Sequence, residues 1–298
     1  MALDLDSALT GISGILVTPY DEAGNVAPQK LAPILDRALM AGVHMPVVNG
    51  NTGEFYALTT DEACTMVAGV AALVGGRAPL LAGVGRGVCD ACRLARASAD
   101  AGATALMIHQ PPDPFVSPRG TVDYVRAIAD AAGLPMMLYL RNDAIGLRAI
   151  ADLCAVPGVK GVKWATPNPL KLAEAMAACD PVIVWVCGLA EVWAPPLYAV
   201  GARGFTSGLI NVWPARSVAI HAALTRGDYP AANALIAGMR VFEDIRAQEL
   251  NGTNVTGVKA ALQAQGLDCG PTRPPSAWPL TPSQQHQLDA FMAAEKLT

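Results

Sequence analysis

The sequence predicts an α/β protein, a (β/α)8 (TIM) barrel with a C-terminal helical extension. A unit recurs in which a helical stretch ends in glycine and a short apolar run follows, as in LDRALMAGVHMPVV and AIADAAGLPMMLYL. Glycine ends helices because it readily adopts the left-handed conformation. Short continuous apolar runs are typical of strands that are buried on both faces. The repeated alternation therefore indicates βαβ units and a parallel sheet.

Eight apolar runs are candidate strands, and a helical stretch follows each of them. The runs cover residues 12–18, 45–49, 79–83, 104–108, 135–140, 159–163, 182–186 and 203–206. The helical stretches include residues 28–41, 60–74, 87–101 and 117–132. Eight such units in about 225 residues match the (β/α)8 barrel, whose usual size is about 250 residues. An open, doubly wound sheet is the competing architecture.

The barrel is predicted to cover residues 1–227, and residues 228–298 are predicted to form a helical extension of the same domain. The extension contains the proline-rich segment GPTRPPSAWPL and is expected to pack on the barrel. In barrels of this kind the chemistry takes place at the C-terminal ends of the strands. Candidate functional residues are therefore sought where the apolar runs end.

The composition indicates a protein that acts on small molecules. Hydrophobic residues make up 52% of the chain and charged residues 15%, so a large core can form. The net charge of −4 provides no basic surface for nucleic acid or anionic lipid. No apolar run approaches the roughly 20 residues that cross a bilayer, and the N-terminus lacks the basic and apolar regions of a signal peptide. Seven scattered cysteines are typical of free thiols, so a cytoplasmic protein is expected.

Lys163 is a candidate nucleophile at the end of the sixth candidate strand, VKGVKW. The chain has six lysines, and Lys160 and Lys163 both belong to this run. Side chains alternate across a strand, so these two lysines point to opposite sides and Lys163 can project into the barrel mouth. An apolar setting lowers a lysine pKa and produces a neutral amine that attacks carbonyl groups. The alternative is a surface lysine beside a loop.

Two further segments carry polar groups at neighbouring strand ends. Tyr139 ends the fifth candidate strand, where a phenol could move protons to or from a carbonyl adduct on Lys163. Alternatively, its ring packs in the barrel and its hydroxyl binds the backbone. The loop after the second strand, Asn49 to Glu54, could aim several N–H groups at a carboxylate or phosphate. In the other interpretation it is a plain loop in which Asn51 or Thr52 caps a helix.

Together, these segments resemble the family of dihydrodipicolinate synthase and N-acetylneuraminate lyase. The matching segments follow the family's order over nearly the whole chain: Ser13 to Pro19 for the first strand, Gly50 to Glu54 for the G-[T/S]-T-G-E loop, Leu138-Tyr139, Gly161 to Lys163, and Gly204 to Asn211 for the eighth strand. The resemblance implies a barrel with C-terminal helices, assembled as a homotetramer. It also implies aldolase-type chemistry on a 2-keto acid substrate, without a metal or an organic cofactor.

The resemblance also implies roles for particular residues. Lys163 would form a Schiff base with the 2-keto group, and Tyr139 would act as the acid and base. Asn51 with Thr52 would hold the substrate carboxylate. The pocket would be lined by Gly188, after the seventh strand, and by Ser207, near the eighth.

Three departures from the family pattern argue against dihydrodipicolinate synthesis. Asn51 replaces a hydroxyl residue of the loop, and an amide does not relay a proton as a hydroxyl does. His109 and Gln110 stand where the synthase has a tyrosine pair. Ala144 stands where it has an arginine, with Arg141 nearby but out of register. The pattern looks closer to branches that cleave or dehydrate 2-keto-3-deoxy sugar acids. His109 and Gln110 would then bind substrate hydroxyls, or His109 is a neutral histidine satisfied by the backbone.

The leading hypothesis is therefore a lyase, either an aldolase or a dehydratase, acting on a hydroxylated 2-keto acid. A pyruvate-condensing synthase is the runner-up within the same fold. A catalytically silent binding or regulatory barrel stays open because of Asn51. A nicotinamide-dependent oxidoreductase around Gly83–Gly87 is the remaining alternative, although the glycine spacing there does not fit G-x-G-x-x-G. The four histidines show no metal-ligand spacing.

Overall fold

A computed structural model describes residues 4–298, and within them eight parallel strands close into a barrel in sequence order. The strands are β1 Ile12–Ile15, β2 Met45–Val48, β3 Leu81–Val84, β4 Ala105–Ile108, β5 Met136–Leu140, β6 Val159–Trp164, β7 Val184–Cys187 and β8 Phe205–Ser207. The predicted barrel is confirmed and the open sheet is excluded. Strand ends differ from the predicted ones by no more than three residues. They differ because a strand ends where its backbone hydrogen bonds to the neighbouring strand end, and an apolar run can extend beyond that point.

The helices alternate with the strands and then continue as the extension. The barrel portion contains α1 Leu5–Leu9, α2 Ala32–Ala41, α3 Thr60–Val74, α4 Val88–Asp100, α5 Pro118–Ala132, α6 Leu147–Cys154, α7 Pro169–Ala177, α8 Ala190–Ala199 and α9 Pro214–Thr225. The extension contains α10 Tyr229–Ala237, α11 Arg240–Arg246, α12 Gln248–Asn251, α13 Asn254–Ala264 and α14 Pro282–Ala294. None of the helices within residues 4–298 combines the length and apolar character required to cross a membrane.

Local sequence signals explain where individual helices begin and end. Thr59 and Glu62 form a capping box at the start of α3, in which each side chain accepts a hydrogen bond from the other residue's backbone N–H. Asp61 and Glu62 lie in the first turn of this helix, where acidic side chains favour the positive end of the helix dipole. Gly133 ends α5 in the left-handed conformation, with φ of 64°.

The barrel interior is a separate layer of packed side chains. It includes Ile15, Met45, Leu81, Met107 and Val186, all buried. Leu9 of α1 belongs to the same cluster, so α1 covers the N-terminal end of the barrel. The C-terminal end is left as the mouth where an open site can form.

A buried ion pair ties the C-terminal extension to the loop after β2. Lys259 Nζ lies 2.7 Å from Glu54 Oε1, and both side chains are at most 1% exposed. Glu54 Oε2 accepts a hydrogen bond of 2.8 Å from the backbone N–H of Arg273, and the Arg273 guanidinium binds Glu62. Burial lowers the pKa of Lys259, and the Glu54 carboxylate opposes that shift. The extension thereby fixes the loop that carries Asn51.

Replacing Lys259 by Met is expected to destabilise the protein by about 3–5 kcal/mol, because the Glu54 carboxylate would stay buried without its partner. Urea unfolding measures the loss. The double variant Glu54→Gln/Lys259→Met is expected to regain part of the stability, since no uncompensated charge remains. Lys160→Met, at an exposed lysine of β6, is the matched control. Equal stability of Lys259→Met and Lys160→Met would contradict the expectation.

Candidate active site

A cavity of about 620 Å³ occupies the C-terminal mouth of the barrel. Five of the eight residues predicted for the site line it: Lys163, Tyr139, Asn51, Thr52 and Gly188. The other walls come from the ends of β1, β5 and β8, from α8, and from α11, α12 and α13 of the extension. The structure therefore brings together most of the predicted residues. The wall formed by α11, α12 and α13 was not predicted from the strand ends.

Lys163 lies near the C-terminal end of β6 with 3% of its surface exposed. Lys160 on the same strand is exposed, so the two lysines point to opposite sides as the alternation predicts. Burial lowers the pKa of Lys163 to about 7, and the positive charge of Arg141 acts in the same direction. A large fraction of the amine is therefore neutral at physiological pH, which is the form that attacks carbonyl carbon.

Tyr139 stands beside Lys163 on the adjacent strand. The two residues are paired in register between β5 and β6, and Lys163 Nζ lies 4.0 Å from the centroid of the tyrosine ring. Burial raises the pKa of Tyr139 to about 12, so the phenol stays protonated near neutrality. Asn51 Nδ2 donates a hydrogen bond of 3.0 Å to the phenolic oxygen. This contact fixes the phenol and leaves its own O–H available for a substrate atom.

The loop after β2 is seated directly on the end of β1. A Cβ at Gly50 would lie 2.5 Å from Cγ2 of Ile15, and a Cβ at Gly53 would lie 2.9 Å from the carbonyl oxygen of Leu16. Thr18 adds a hydrogen bond of 2.6 Å from its hydroxyl to the Gly53 carbonyl. The glycines are required by this close approach, which places Asn51 in the cavity wall.

Two residues of this loop, Asn51 and Thr52, are suited to contact a ligand. Thr52 is 6% exposed and faces the cavity. Asn51 Oδ1 is buried and has no hydrogen-bond partner among residues 4–298. A buried amide oxygen without a partner is costly, so a bound substrate or water that donates a hydrogen bond to it would be stabilised.

Gly188 makes room for the lysine side chain. A Cβ at this position would lie 2.9 Å from Lys163 Cγ and 2.8 Å from Ala165 Cβ. Glycine is therefore needed for Lys163 to reach the mouth.

His109 lies beneath the site and does not line the cavity. Its ring stacks on Phe55 at a centroid distance of 4.2 Å and meets the Tyr139 ring edge-on at 5.7 Å. Nε2 lies 2.8 Å from the Asn49 carbonyl oxygen and donates to it in the neutral tautomer. Burial lowers the pKa of His109 to about 3, which keeps the ring neutral. The structure therefore favours the backbone-satisfied interpretation, in which His109 supports Tyr139.

Gln110 is likewise outside the cavity wall. Its Oε1 accepts a weak hydrogen bond of 3.4 Å from the backbone N–H of Arg141. His109 and Gln110, which the sequence predicts to bind substrate hydroxyls, are therefore not among the residues that line the cavity. Gly83 and Gly85 are required by packing, because a Cβ at Gly83 would lie 2.1 Å from the Asn49 carbonyl oxygen and one at Gly85 would lie 2.9 Å from His109 Cβ.

Ser207 faces away from the cavity, which corrects the expectation that it lines the pocket. Its hydroxyl donates a hydrogen bond of 2.6 Å to Glu191 Oε1. Thr206 and Gly208, on either side of it, face the cavity. Alternation along β8 explains the difference of one residue. Burial raises the pKa of Glu191 to about 7, and the nearby charge of Glu243 acts in the same direction.

The comparison with known proteins decides the family. The model of the dihydrodipicolinate synthetase family matches residues 8–295. The chain belongs to this family. The resemblance that the sequence motifs predict is thereby confirmed. Dihydrodipicolinate synthetase family members are Schiff-base lyases and synthases, so the chain is an enzyme of that kind.

The relatives carry the names of two activities. The chain is 30% identical over 272 residues to 4-hydroxy-tetrahydrodipicolinate synthase of Exiguobacterium sp., covering 89% of this chain and 91% of that protein. It is also 30% identical over 254 residues to a probable 5-dehydro-4-deoxyglucarate dehydratase of Rhizobium rhizogenes, covering 83% and 82%. Among solved structures, dihydrodipicolinate synthase from Oceanobacillus iheyensis has a TM-score of 0.93 and 35% identity, covering 98% of each chain.

Arg141 and Arg246 also line the cavity, and neither was predicted from the sequence to do so. Arg141 lines the cavity two residues beyond Tyr139, so strand alternation could have revealed it. Arg246 comes from the extension and is seated against Gly208, where a Cβ would overlap its guanidinium. No sequence signal marks Arg246, because α11 is distant from every strand in the chain. Within residues 4–298, no three His, Cys, Asp or Glu side chains are grouped as metal ligands.

The lowered pKa of Lys163 predicts the pH dependence of its reaction with a carbonyl group. Because the neutral amine is the nucleophile, the rate of adduct formation with pyruvate is expected to rise about tenfold per pH unit below the pKa of about 7 and to level off above it. Rapid-quench borohydride trapping between pH 5 and pH 9 measures this profile. An inflection near 10, the value of an ordinary lysine, would contradict the prediction.

Proposed function

We propose that this enzyme forms a Schiff base between Lys163 and a 2-keto-3-deoxy sugar acid, or a related hydroxylated 2-keto acid, and then cleaves or dehydrates it. One observation carries the proposal: a buried amine with its pKa lowered to about 7 lies 4.0 Å from the ring of a protonated tyrosine. Both groups face a cavity of about 620 Å³ that leaves room for a substrate longer than pyruvate.

In the first step Lys163 Nζ attacks the carbonyl carbon C2 of the substrate. A C–N bond forms, the carbonyl oxygen is protonated and leaves as water, and a C=N bond results. Tyr139 is the group placed to supply the proton, since its O–H is not used by Asn51. Asn51 and Thr52 hold the substrate carboxylate at the inner end of the cavity, where glycines bring the loop backbone close.

The iminium then draws electrons from the bonds around C3 and C4. In dehydration, C3 loses a proton to form the enamine and the C4 hydroxyl leaves as water. In aldol cleavage, the C4 hydroxyl loses its proton, the C3–C4 bond breaks, and its electrons form the enamine. Tyr139 is positioned to accept and return these protons, and hydrolysis of the C=N bond regenerates Lys163.

A pyruvate-condensing synthase is the second candidate, supported by the named activity of the Exiguobacterium relative. Ala144 and Asn51 depart from the synthase pattern, as does His109, which is buried beneath Tyr139. A silent barrel is disfavoured, because a binding protein has little need for a buried amine beside a buried phenol.

A homotetramer is proposed for the assembly, as the resemblance implies. Phe115 is 92% exposed, and it shares a groove with Val116 and Val88, which are also exposed. An apolar surface of this kind is suited to a partner subunit. Light scattering after size exclusion measures the mass of the assembly.

The experiment that tests the activity is a product analysis with 2-keto-3-deoxy sugar acids of five and six carbons. Release of pyruvate or a pyruvate analogue identifies aldol cleavage, and loss of water identifies dehydration. Consumption of pyruvate only in the presence of an aldehyde identifies the synthase. No turnover in any of these assays, with no trapped adduct, would favour the silent barrel and overturn the proposal.

A further inference from the structure

The short element α12 contains a left-handed turn that forms part of the cavity wall. Glu249, Leu250 and Asn251 have φ of 50°, 58° and 69°, so three consecutive residues with side chains lie in the left-handed region. Residues other than glycine rarely adopt this conformation, because Cβ then lies too close to the following carbonyl oxygen. Such backbone persists only where its surroundings enforce it, and it is concentrated at ligand sites. Asn251 lines the cavity, whereas Leu250 is 99% exposed.

Contacts with the rest of the extension hold the turn in place. Gln284 Nε2 of α14 donates a hydrogen bond of 3.0 Å to Glu249 Oε1. The carbonyl oxygen of Gly252, directly after the turn, accepts a hydrogen bond of 3.1 Å from the backbone N–H of Ala277. None of these contacts uses the side-chain amide of Asn251, which makes no hydrogen bond within the part of the chain that the structure describes. The amide therefore stands in the cavity wall with its donors and its acceptor available.

Two further neutral polar side chains belong to the same wall. Asn254 and Ser276 both line the cavity. Asn254 Oδ1 accepts a hydrogen bond of 3.0 Å from the Arg246 guanidinium, which orients the amide. Asn254 Nδ2 and the Ser276 hydroxyl make no hydrogen bond with any described residue of the chain.

The charged side chains of this wall neutralise one another. Arg246 forms an ion pair with Glu243, and Arg240 Nε lies 2.7 Å from Asp244 Oδ1. The extension therefore presents to the cavity an electroneutral surface that carries both donors and acceptors. A hydroxyl group also donates and accepts, whereas an ionised carboxylate only accepts, so this surface matches hydroxyl groups better.

We propose that Asn251, with Asn254 and Ser276 beside it, determines specificity by binding hydroxyl groups on the tail of the substrate. The left-handed turn positions the Asn251 amide for this contact. The inference rests on the proposed Schiff-base function and adds a feature of its substrate, namely hydroxyl groups beyond C4. These residues bind the tail and take no part in the bond-breaking steps.

Two 2-keto acids of equal length test the inference, 5,6-dihydroxy-2-oxohexanoate and 2-oxohexanoate. Both lack the C4 hydroxyl on which cleavage and dehydration depend, so each forms an adduct with Lys163 that does not react further. Half-saturating concentrations for the borohydride-trapped adducts are measured by intact mass, and their ratio is compared between variants. Cyclisation of the dihydroxy probe in solution is the same for every variant and cancels in this comparison.

Asn251→Gly removes the amide and keeps the turn, because glycine adopts positive φ without strain. It is expected to shift the ratio about fivefold against the dihydroxy probe, the effect of losing a net hydrogen bond. Ser276→Ala should shift it less, in the same direction. Leu250→Gly is the matched control, since it relaxes the same turn at a side chain outside the cavity wall, and it should leave the ratio unchanged. Added salt should not alter the native ratio, because hydrogen bonds between neutral groups are not screened.

Urea unfolding verifies that the variants are folded. Asn251→Asp, which also tolerates the left-handed region but lacks the N–H donors, replaces Asn251→Gly if that variant is unstable, and the same direction of shift is expected. An unchanged ratio in these variants, or an equal shift in Leu250→Gly, would overturn the role of the Asn251 amide while leaving the Schiff base in place. Absence of any adduct, with pyruvate as well as with both probes, would overturn the proposed function and the inference together.

Discussion

Replacing Lys163 by Ala or by Arg is expected to abolish turnover, with kcat lowered by about 10⁴-fold or more. Neither side chain offers a neutral amine, and the arginine guanidinium stays protonated. The reaction would lose its covalent intermediate and with it the electron-accepting iminium. Intact-mass analysis after borohydride reduction with pyruvate should show an adduct on the native chain and none on either variant.

Lys160→Ala is the control for this experiment, because Lys160 is on the same strand but is exposed on the opposite side. It is expected to keep both the adduct and the activity. A pyruvate adduct on Lys163→Ala, or normal turnover by it, would rule out Lys163 as the nucleophile. Unfolding by urea verifies that the variants are folded. Removal of a buried amine from an apolar wall is not expected to destabilise the barrel, since the desolvation cost of a charged lysine disappears.

Replacing Tyr139 by Phe is expected to lower kcat by about 10²–10⁴-fold, the usual contribution of a positioned proton donor. The ring and its packing on His109 are retained, so the loss reports the hydroxyl alone. KM is expected to change much less than kcat, because the hydroxyl acts on the reacting atoms. The pyruvate adduct should still form, at a reduced rate, since Lys163 is unchanged.

Tyr124→Phe is the matched control, because this tyrosine is also buried and its hydroxyl donates a hydrogen bond of 3.1 Å to the Arg86 carbonyl oxygen. It is expected to cost stability without a comparable loss of kcat. Rapid-quench kinetics separates adduct formation from the later steps. If Tyr139→Phe retained full activity, the protons would have to move through another group, and the role proposed for the phenol would be abandoned.

The active site depends on contacts made by residues outside the barrel strands. Asn51, which fixes the Tyr139 phenol, belongs to a loop whose Glu54 is bound by Lys259 and Arg273 of the extension. The extension therefore does more than cover the barrel: it supplies one cavity wall and immobilises another.

The sequence by itself was sufficient to predict the barrel, the side of β6 from which Lys163 projects, and the pairing of Lys163 with Tyr139 on neighbouring strands. These features follow from local periodicity: glycine ends helices, apolar runs make strands, and side chains alternate along a strand. At β8 the alternation holds, but the residue predicted to face the cavity was wrong by one position. Thr206 and Gly208 face it, and Ser207 between them does not.

Only the tertiary structure decided the position of His109 and the contribution of Arg246. His109 is buried because Phe55, Gly83 of β3 and Gly85 directly after it leave space for its ring, and these contacts join residues far apart in the chain. Arg246 of α11 reaches the cavity because Gly208, directly after β8, leaves space for its guanidinium. Periodicity determines which way a residue faces within its own element, whereas the neighbours it meets depend on packing between distant segments.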